Sequence, residues 1–596
     1  MTSPTLSPST TAAAADEEED ESSSSPSESL DFILHRILPF LLAAALSARF
    51  LAGRWRILHS KLSLLHAALA DAAASPHWPS NPLFRDNLLP ALRATLRSLR
   101  ALSARCLDHS LPGGKLRFQS DLDIASSALT VHLRDLHVLL SSGLLHHDAS
   151  PSNSASDDDA AIVLPLPGPS ASRAELAFFV RDLFARLQIG ALDLKQKALD
   201  SLLELLASDT AKLSRVVAEE GDLPSLLRLL DPSAHFVLRD CAAAAVSLLA
   251  SASDASRRAI FDEGALGPVL RLLDSGSPVL KERAAAAIQA VTADPACAWA
   301  LSAYGGVSIL VAACRPGSPA VQALAAGSLM NVAAVDDIRI TMAEEGAVPA
   351  LVELLVSGNT EAQKNAALCL ATLAAMGGAE IRASILEENG HHHLLQFLRE
   401  ASDPEATDRA LRAISALSAS PTAAKHLSSS PHFFAQLTDI IKRGSPSIQQ
   451  TAASLVADLN PSEDIKRSMA ESMSALVEIM ECPKPANAQE AAAGALTSLL
   501  AVRSNRRELS RDEKSITRLV QMLDPKNEAV GKELPVGVAL ALTAGSGGGV
   551  RKRLAEAGAC QHLQKLAEDD VPGAKKALQR IAGGRLKNLF SVAWAQ

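Results

Sequence analysis

The sequence has few aromatic and cysteine residues, and each scarcity excludes a class of protein. Aromatic side chains make up 3% of the 596 residues, with a single Tyr, which favours close helix packing over a β-sandwich. The seven cysteines are scattered and never form Cys-x-x-Cys, at positions 106, 241, 297, 314, 369, 482 and 560. This spacing argues against disulfides and structural zinc, and it predicts a reducing compartment.

The sequence also has no long apolar run near its start and no excess of positive charge. The longest apolar stretch there, Ile37 to Leu46, contains Pro39, and a membrane-spanning helix takes about 20 residues. Acidic residues precede that stretch, which argues against a signal peptide. A net charge of -9 predicts no nucleic-acid partner. We therefore predict a cytoplasmic protein, with the nucleus as a second compartment.

What the sequence does contain is a repeated helical pattern. The segment Gly346 to Leu355, followed by Thr360 to Ala374, reads as two apolar helices joined by a short break. Related copies are marked by glycines whose successive spacings are 43, 42, 40 and 44 residues, at positions 221, 264, 306, 346 and 390. Weaker copies follow near Phe433, Met473 and Ile516, and Gly558 heads another copy. An all-helical repeat of about 40 to 47 residues indicates an armadillo or HEAT array.

The layout inside one period favours the armadillo type, which has a short first helix, a glycine break, a middle helix and a long third helix. Asp337 to Glu345 fits the first helix, and Gly346 supplies the break. Pro349 stands in the first turn of the middle helix, where its missing N–H has no intrahelical partner anyway. The predicted fold class is all-α, an armadillo-type α-solenoid preceded by a small N-terminal helical bundle.

The chain resembles the plant armadillo-repeat proteins that are related to the U-box ubiquitin ligases. Besides the array, the resemblance rests on Cys106, on Gly114-Lys115-Leu116 and on Gln119-Ser120-Asp121, which are similar to a pattern in that family's N-terminal domain. In those ligases the U-box lies between the N-terminal domain and the repeats. Only the 27 residues 146 to 172 are available here, too few for that module. The resemblance thus implies a relative without a U-box, whose repeats form a right-handed α-solenoid with third helices that line a concave groove.

These observations divide the chain into five predicted segments. Residues 1–29 form an acidic, Ser-rich disordered tail, residues 30–145 an N-terminal helical domain whose leucines recur at helical spacing, and residues 146–172 a linker. Residues 173–583 hold about nine repeats, and residues 584–596 form a basic, amphipathic tail. Membrane contact is predicted only through that C-terminal tail.

No catalytic, metal-binding or cofactor-binding motif stands out. His391, His392 and His393 are consecutive, so on a helix they point in different directions and cannot converge on one metal ion. The glycine-rich stretch at 545–549 lacks the Lys-Ser/Thr of a phosphate-binding loop. We therefore predict a protein that is not an enzyme, with no cofactor, no metal and no catalytic residue.

The predicted groove is the remaining candidate site. Importin-α carries a Trp and, four residues later, an Asn on its third helices, and of such pairs only Asn331 is present here. The sequence therefore lacks the ladder that reads a basic import signal. The polar residues at these positions, or one turn before them, form the candidate binding set: Asp240, Glu282, Asn331, Lys364, Thr372, Asp408, Arg412, Gln450, Asp458 and Glu490.

The sequence favours a non-enzymatic scaffold that binds a partner protein along this groove. By resemblance, its setting is plant signalling or ubiquitin-linked regulation. Two alternatives remain open: a component that recruits substrate to a separate ubiquitin ligase, and a membrane-peripheral tether that uses the basic C-terminal tail. The identity of the protein partner is not encoded in any recognisable motif.

Overall fold

We analysed a computed structural model of the chain. It describes residues 25–48, 50–107, 114–142, 144–145, 166–168, 171–208, 210–315, 317–483, 485–545 and 548–582. The predicted C-terminal tail, most of the predicted linker and residues 1–24 of the predicted N-terminal tail lie outside these residues. The described residues form helices and no strand, as the low aromatic content predicts.

The N-terminal region contains four helices. They are α1 (Pro26–Ser47), α2 (Ala52–Ala74), α3 (Leu89–Leu107) and α4 (Gly114–Ser141). Short turns, a 3₁₀ turn at Trp78–Ser80 and a π-helical turn at Leu83–Leu88, lead into α3. The leucines that recur at helical spacing in α2 and α3 are buried and form part of the core of the bundle. Trp55, Phe84 and Phe118 complete this core with large rings.

Polar contacts show how these helices run. Arg54 pairs with Asp123 at 2.8 Å, and Lys61 donates to the hydroxyl of Thr130 at 2.7 Å, so α2 and α4 lie side by side and parallel. Arg105 lies 3.6 Å from Asp121 and the hydroxyl of Thr95 lies 2.9 Å from the ring of His132, so α3 runs antiparallel to α4. Alternating directions of this kind are the rule in a helical bundle with short connections.

Helix α1 is longer than the predicted apolar stretch. Its 22 residues are long and apolar enough to cross a membrane, and 44% of its most apolar window is buried inside the bundle. The buried positions include Leu30, Ile33, Leu38 and Leu41, which belong to the bundle core. A core helix of a folded domain passes the same test of length and composition, so the test does not assign α1 to a membrane.

Two further helices, α5 (Arg173–Ile189) and α6 (Leu192–Ser208), precede the repeats. Ala185 of α5 belongs to the bundle core, and Phe178 and Ile189 pack against that core. The bundle and the start of the array therefore share one apolar interior. A buried ion pair, Arg186 to Asp182 at 2.6 Å, lies within α5.

From residue 210 to residue 582 the described helices form nine consecutive sets of three. The first helices are α7 (Thr210–Glu220), α10 (Asp254–Asp262), α13 and α14 (Pro295–Ala298 and Ala300–Ala303, together one set's first helix), α17 (Asp336–Glu344), α20 (Gly378–Glu387), α23 (Pro421–Ser428), α26 (Glu463–Ser468), α29 (Arg503–Arg511) and α32 (Gly548–Glu556). The second helices are α8 (Leu223–Arg228), α11 (Leu266–Ser275), α15 (Gly306–Ala313), α18 (Ala347–Ser357), α21 (Gly390–Glu400), α24 (Pro431–Arg443), α27 (Met473–Glu481), α30 (Glu513–Met522) and α33 (Ala559–Glu568). The third helices are α9 (Phe236–Ala252), α12 (Pro278–Thr292), α16 (Pro319–Val332), α19 (Thr360–Met376), α22 (Pro404–Ser418), α25 (Pro446–Leu459), α28 (Ala486–Leu499), α31 (Glu533–Thr543) and α34 (Ala574–Ala582).

The break between first and second helices has two physical causes. At Gly346 the backbone is left-handed, with a φ of 78°, which a glycine adopts without steric cost. Gly221 is different, because a Cβ there would lie 2.4 Å from the ring of Phe184. Gly221 is therefore required by close packing on α5, whereas Gly346 is required by the conformation of the turn.

The chain divides into two compact units, residues 1–272 and residues 273–596, which we describe separately. Unit one contains the bundle, α5, α6, the first set of three helices, α10 and most of α11. In unit two the third helices pack against one another in chain order, from α12 through α34. Seven third helices carry a buried alanine at the same position: Ala242 in unit one, then Ala284, Ala325, Ala366, Ala410, Ala452 and Ala492 in unit two. Side chains this small let neighbouring helices approach closely.

Candidate protein-binding surface

The third helices of unit two present one continuous face whose side chains point away from the core. We call this face the third-helix surface, and it comprises the outward residues of α12, α16, α19, α22, α25 and α28. Eight of the ten predicted binding residues are half-buried or exposed side chains on these six helices. Lys364 belongs to the same helices but is buried, and Asp240 lies on α9 of unit one.

Neighbouring third helices are tied to each other across this surface by side-chain amides. Asn331 of α16 donates to the backbone carbonyl of Gln289 in α12 at 3.1 Å. Asn365 of α19 donates to the carbonyl of Ala323 in α16 at 2.9 Å. Such bonds satisfy groups that are partly removed from water and hold each helix in register with the previous one. The side-chain amide of Asn331 is therefore engaged in a hydrogen bond within the protein.

A network of charges joins α19 to α22. The ammonium of Lys364 lies 2.6 Å from Glu361 and 2.9 Å from Glu405, and only 8% of its side chain is exposed. The guanidinium of Arg409 bonds to Glu405 at 2.6 Å and to the amide oxygen of Asn365 at 2.8 Å. One predicted binding residue, Lys364, thus has its charge neutralised inside the protein.

The hydrogen bonds of this network shift the pKa values of both partners. The hydrogen bonds to Glu361 and then to Glu405 raise the pKa of Lys364. The hydrogen bond from Lys364, followed by the charge of Arg409, lowers the pKa of Glu405. Both shifts keep the groups ionised at neutral pH, so the network is intact under ordinary conditions.

Three further predicted residues are also engaged by the scaffold. Glu282 accepts a hydrogen bond from Ser318 at 2.5 Å, which links α12 to the segment before α16. The hydroxyl of Thr372 donates to the carbonyl of Leu368, one turn earlier in α19. Asp408 pairs with Arg412 at 2.8 Å within α22.

The remaining predicted residues are available to a partner. The side chain of Arg412 is 55% exposed although it pairs with Asp408. Asp458 and Glu490 are exposed and Gln450 is half-buried, and their side chains have no hydrogen bond or ion pair within the described part of unit two. These four side chains lie on α22, α25 and α28. The exposed polar groups therefore concentrate toward the later third helices.

Sequence reasoning missed Asn365, Arg409 and Glu405. It compared third-helix positions four residues apart, whereas residues three apart also share a helix face. Asn365 and Arg409 stand three positions before the site of the importin Trp in their helices. The four-residue spacing of Glu405 and Arg409 could have predicted the ion pair that they form on α22.

Burial affects the titration of several histidine and cysteine side chains. His391 stacks on His426 with ring centroids 5.2 Å apart, and burial lowers the pKa of His391. Burial raises the pKa of the Cys314 thiol to about 12, and it also raises the pKa of Cys369. Such thiols are poor nucleophiles. In the described ranges no three His, Cys, Asp or Glu side chains are grouped so as to hold a metal ion.

Comparisons with known proteins agree with this geometry. Residues 336–375 match the model of the armadillo/β-catenin-like repeat, and residues 33–144 match a domain of unknown function, DUF7032. No curated protein matches the chain. An engineered protein solved by X-ray crystallography is similar over 68% of this chain and 99% of its own length, with 24% identity and a TM-score of 0.58.

Designed armadillo repeat proteins are also similar to part of the chain. One, named YIII(Dq)4CqI, shares 26% identity over 40% of this chain and 99% of its own, with a TM-score of 0.38. Another, solved in complex with the peptide (KR)4, shares 24% identity over 40% of this chain and 99% of its own, with a TM-score of 0.37.

The three-helix sets and the repeat match at 336–375 together define the class of protein. It is an armadillo-type α-solenoid preceded by an N-terminal helical domain. The predicted fold class is confirmed. The first helix of the matched repeat begins at Asp336, one residue before the predicted start. The middle helix begins at Ala347, one residue after the start of the predicted segment, and the third helix contains its predicted segment.

Proposed function

We propose that this protein is a non-enzymatic scaffold that binds an extended or helical segment of a partner protein on the third-helix surface of unit two. The observation that supports the proposal is that the polar side chains of that surface fall into two groups, one bonded within the protein and one exposed. Asn331, Lys364, Asn365 and Arg409 hold adjacent helices together, while Arg412, Asp458 and Glu490 stay exposed.

This arrangement gives a preorganised surface. Helices that are already bonded to each other lose little conformational freedom when a partner binds, which reduces the entropic cost of association. The exposed groups carry charges of both signs, so they favour partners with a complementary charge pattern. Repeat proteins commonly use such open faces for extended or helical partners.

The test is a peptide selection followed by affinity measurements. A peptide library displayed on phage is selected against the full chain, and the Kd of the best peptide is measured by fluorescence anisotropy. The same measurement is made with Arg412→Glu and with Asp458→Lys. Arg399→Glu is the matched control, because Arg399 is an exposed arginine on the second helix α21.

We expect Arg412→Glu or Asp458→Lys to weaken binding by about tenfold, the equivalent of roughly 1.4 kcal/mol. Arg399→Glu should change the Kd less than twofold. Equal affinities for all variants would place binding off the third-helix surface and overturn the proposal. Lys364 is a poor probe, since its substitution breaks an internal ion pair.

The location and the biological setting of this scaffold are also proposals. Seven free cysteines suit a reducing compartment, which supports a cytoplasmic or nuclear location. Plant origin, kinship with U-box ligases and a role in signalling or ubiquitin-linked regulation stay predictions from the sequence.

A further inference from the structure

A second surface of unit two has an unusual charge pattern. Arg503, Arg507 and Arg511 follow one another at four-residue spacing on the exposed face of α29. These three exposed guanidinium groups have no ion pair or side-chain hydrogen bond in the part of the chain that the structure describes. Like charges at this spacing destabilise a helix. The stripe therefore does not stabilise α29.

Helix α32 adds to this positive charge. Arg553 of α32 donates to the carbonyl of Ser510 in α29 at 2.6 Å, so the two first helices lie side by side. Lys552 and Arg553 are exposed. We call the set Arg503, Arg507, Arg511, Lys552 and Arg553 the basic patch.

Nearby acidic groups pair with one member of the basic patch, Lys552, and leave Arg503, Arg507 and Arg511 without an ion pair among the described residues. Asp512 is the N-cap of α30 and accepts hydrogen bonds from the backbone N–H groups of residues 514 and 515. Glu556 lies 3.5 Å from Lys552, and Glu508 is the single acidic residue within α29. Arg518 of the next helix, α30, is half-buried and by contrast has partners in Glu478 and Glu481.

The side chain of Arg506 lies half-buried beside the patch. It donates to the carbonyls of Leu500 and Ala501 at 2.7 and 2.8 Å, but its Nε is buried and has no acceptor among the described residues. The Nε of Arg551 in α32 is likewise buried and has no acceptor among the described residues. Burial, and to a lesser extent the charge of Arg503, lower the pKa of Arg506.

From these observations we infer that the basic patch binds a carboxylate-rich segment of a partner protein. This interaction is distinct from the proposed function, since it uses first helices and not the third-helix surface. Arginine dominates the patch, and its planar guanidinium matches the two oxygens of a carboxylate. The five residues of the patch include no aromatic side chain on which a base could stack.

The length of the stripe sets the size of the segment. Arg503 and Arg511 are eight residues apart, which corresponds to about 12 Å along the helix axis. An extended chain covers that distance in about four residues. A run of four to six Asp or Glu residues is therefore sufficient. The chain itself contains one such run, Asp16 to Glu21, which is the competing occupant.

The experiment measures binding of a fluorescein-labelled hexaglutamate peptide to the full chain by anisotropy at low and at high salt. The test variant is Arg503→Glu/Arg507→Glu/Arg511→Glu. The matched control is Arg399→Glu/Lys425→Glu/Arg467→Glu, which changes the net charge equally at exposed sites on three other helices of unit two. The milder variant Arg503→Gln/Arg507→Gln keeps the test valid if the triple variant unfolds.

We expect saturable binding that weakens with salt, a loss of at least tenfold in the test variant and less than threefold in the control. Equal losses in both variants would mean that only net charge matters and would overturn the inference. Tighter binding of a single-stranded oligonucleotide of equal charge would overturn it in favour of nucleic acid.

The remaining possibility is that the protein's own acidic run occupies the basic patch. A full-length variant with Asn or Gln in place of the six acidic residues 16–21 tests it. If this variant binds hexaglutamate severalfold more tightly than the original chain, the protein's own acidic run occupies the patch. That outcome would also overturn the assignment to a partner protein. Unchanged affinity supports the assignment.

Discussion

The bundle of unit one and the third-helix stack of unit two fill the space between their helices with different side chains. The bundle fills its interior with rings and leucines, such as Trp55, Phe84 and Phe118. The stack of unit two has alanines at equivalent buried positions, such as Ala366 and Ala410. Large side chains fill a wide interior, whereas small ones allow helices to touch closely and in register.

This difference determines what each region can display. In the stack, backbones come close enough for an asparagine to reach the carbonyl of the neighbouring helix, as Asn365 does with Ala323. In the bundle, helices are joined by longer charged side chains such as Arg54 with Asp123. A closely stacked surface is stiff, and stiffness favours binding of a flexible segment.

Removing a ring from the bundle should have the largest effect. Phe84 is fully buried and lies edge-on to Trp78, with ring centroids 5.4 Å apart. We expect Phe84→Ala to lower the free energy of unfolding of unit one by about 3–5 kcal/mol, because it removes a buried ring and leaves a cavity. Urea unfolding followed by Trp fluorescence measures this loss. Phe40→Ala, at a half-exposed ring of the same bundle, should cost much less.

Enlarging an alanine of the stack should have the next largest effect. Ala366 is fully buried on α19. We expect Ala366→Leu to cost about 1–3 kcal/mol, since the added atoms push neighbouring third helices apart. Ala375→Leu is the control, at an exposed position of the same helix. Equal stability of the two variants in urea unfolding would contradict close packing of the third helices.

Neutralising Glu405 should have the smallest effect, and that effect should depend on pH. Hydrogen bonding lowers the pKa of Glu405 in the folded protein, so its stabilising contribution is present above the unfolded pKa. The contribution is lost as the pH falls through the folded pKa. Half of the side chain is exposed, so we expect Glu405→Gln to cost less than about 1 kcal/mol at pH 7.

The difference between Glu405→Gln and the original chain should disappear at low pH, where both side chains are uncharged. Thermal unfolding by circular dichroism at a series of pH values measures it. Glu353→Gln, at an exposed glutamate of α18, is the control and should show no such trend. A constant difference from neutral to acidic pH would rule out an electrostatic role for Glu405.

Much of the fold was predictable because its signals are local. A glycine with a left-handed backbone, as at Gly346, and a proline in the first turn, as at Pro349, recur with the period of the repeat. The spacing of leucines in α2 and α3 likewise predicted which residues are buried. Sequence reasoning did not predict that Asn389 takes the left-handed conformation next to Gly390, because Asn is the less common residue there.

The candidate surface was predictable only as a set of positions. Lys364 and Arg412 look alike in the sequence, since both are cations at groove positions of third helices. The structure buries Lys364 between Glu361 and Glu405 and leaves Arg412 exposed. The decisive partner, Glu405, lies 41 residues away in the chain, on the next third helix.

The sequence by itself thus determined the helical repeat, its period and the order of helices within each set, because turns, caps and apolar spacing act over a few residues. Tertiary structure alone decided which polar side chains hold the stack together and which face solvent. That decision depends on contacts between helices about one repeat apart. It also left the arginines of α29 without an acidic partner in the described part of unit two, although the sequence around them contains acidic residues.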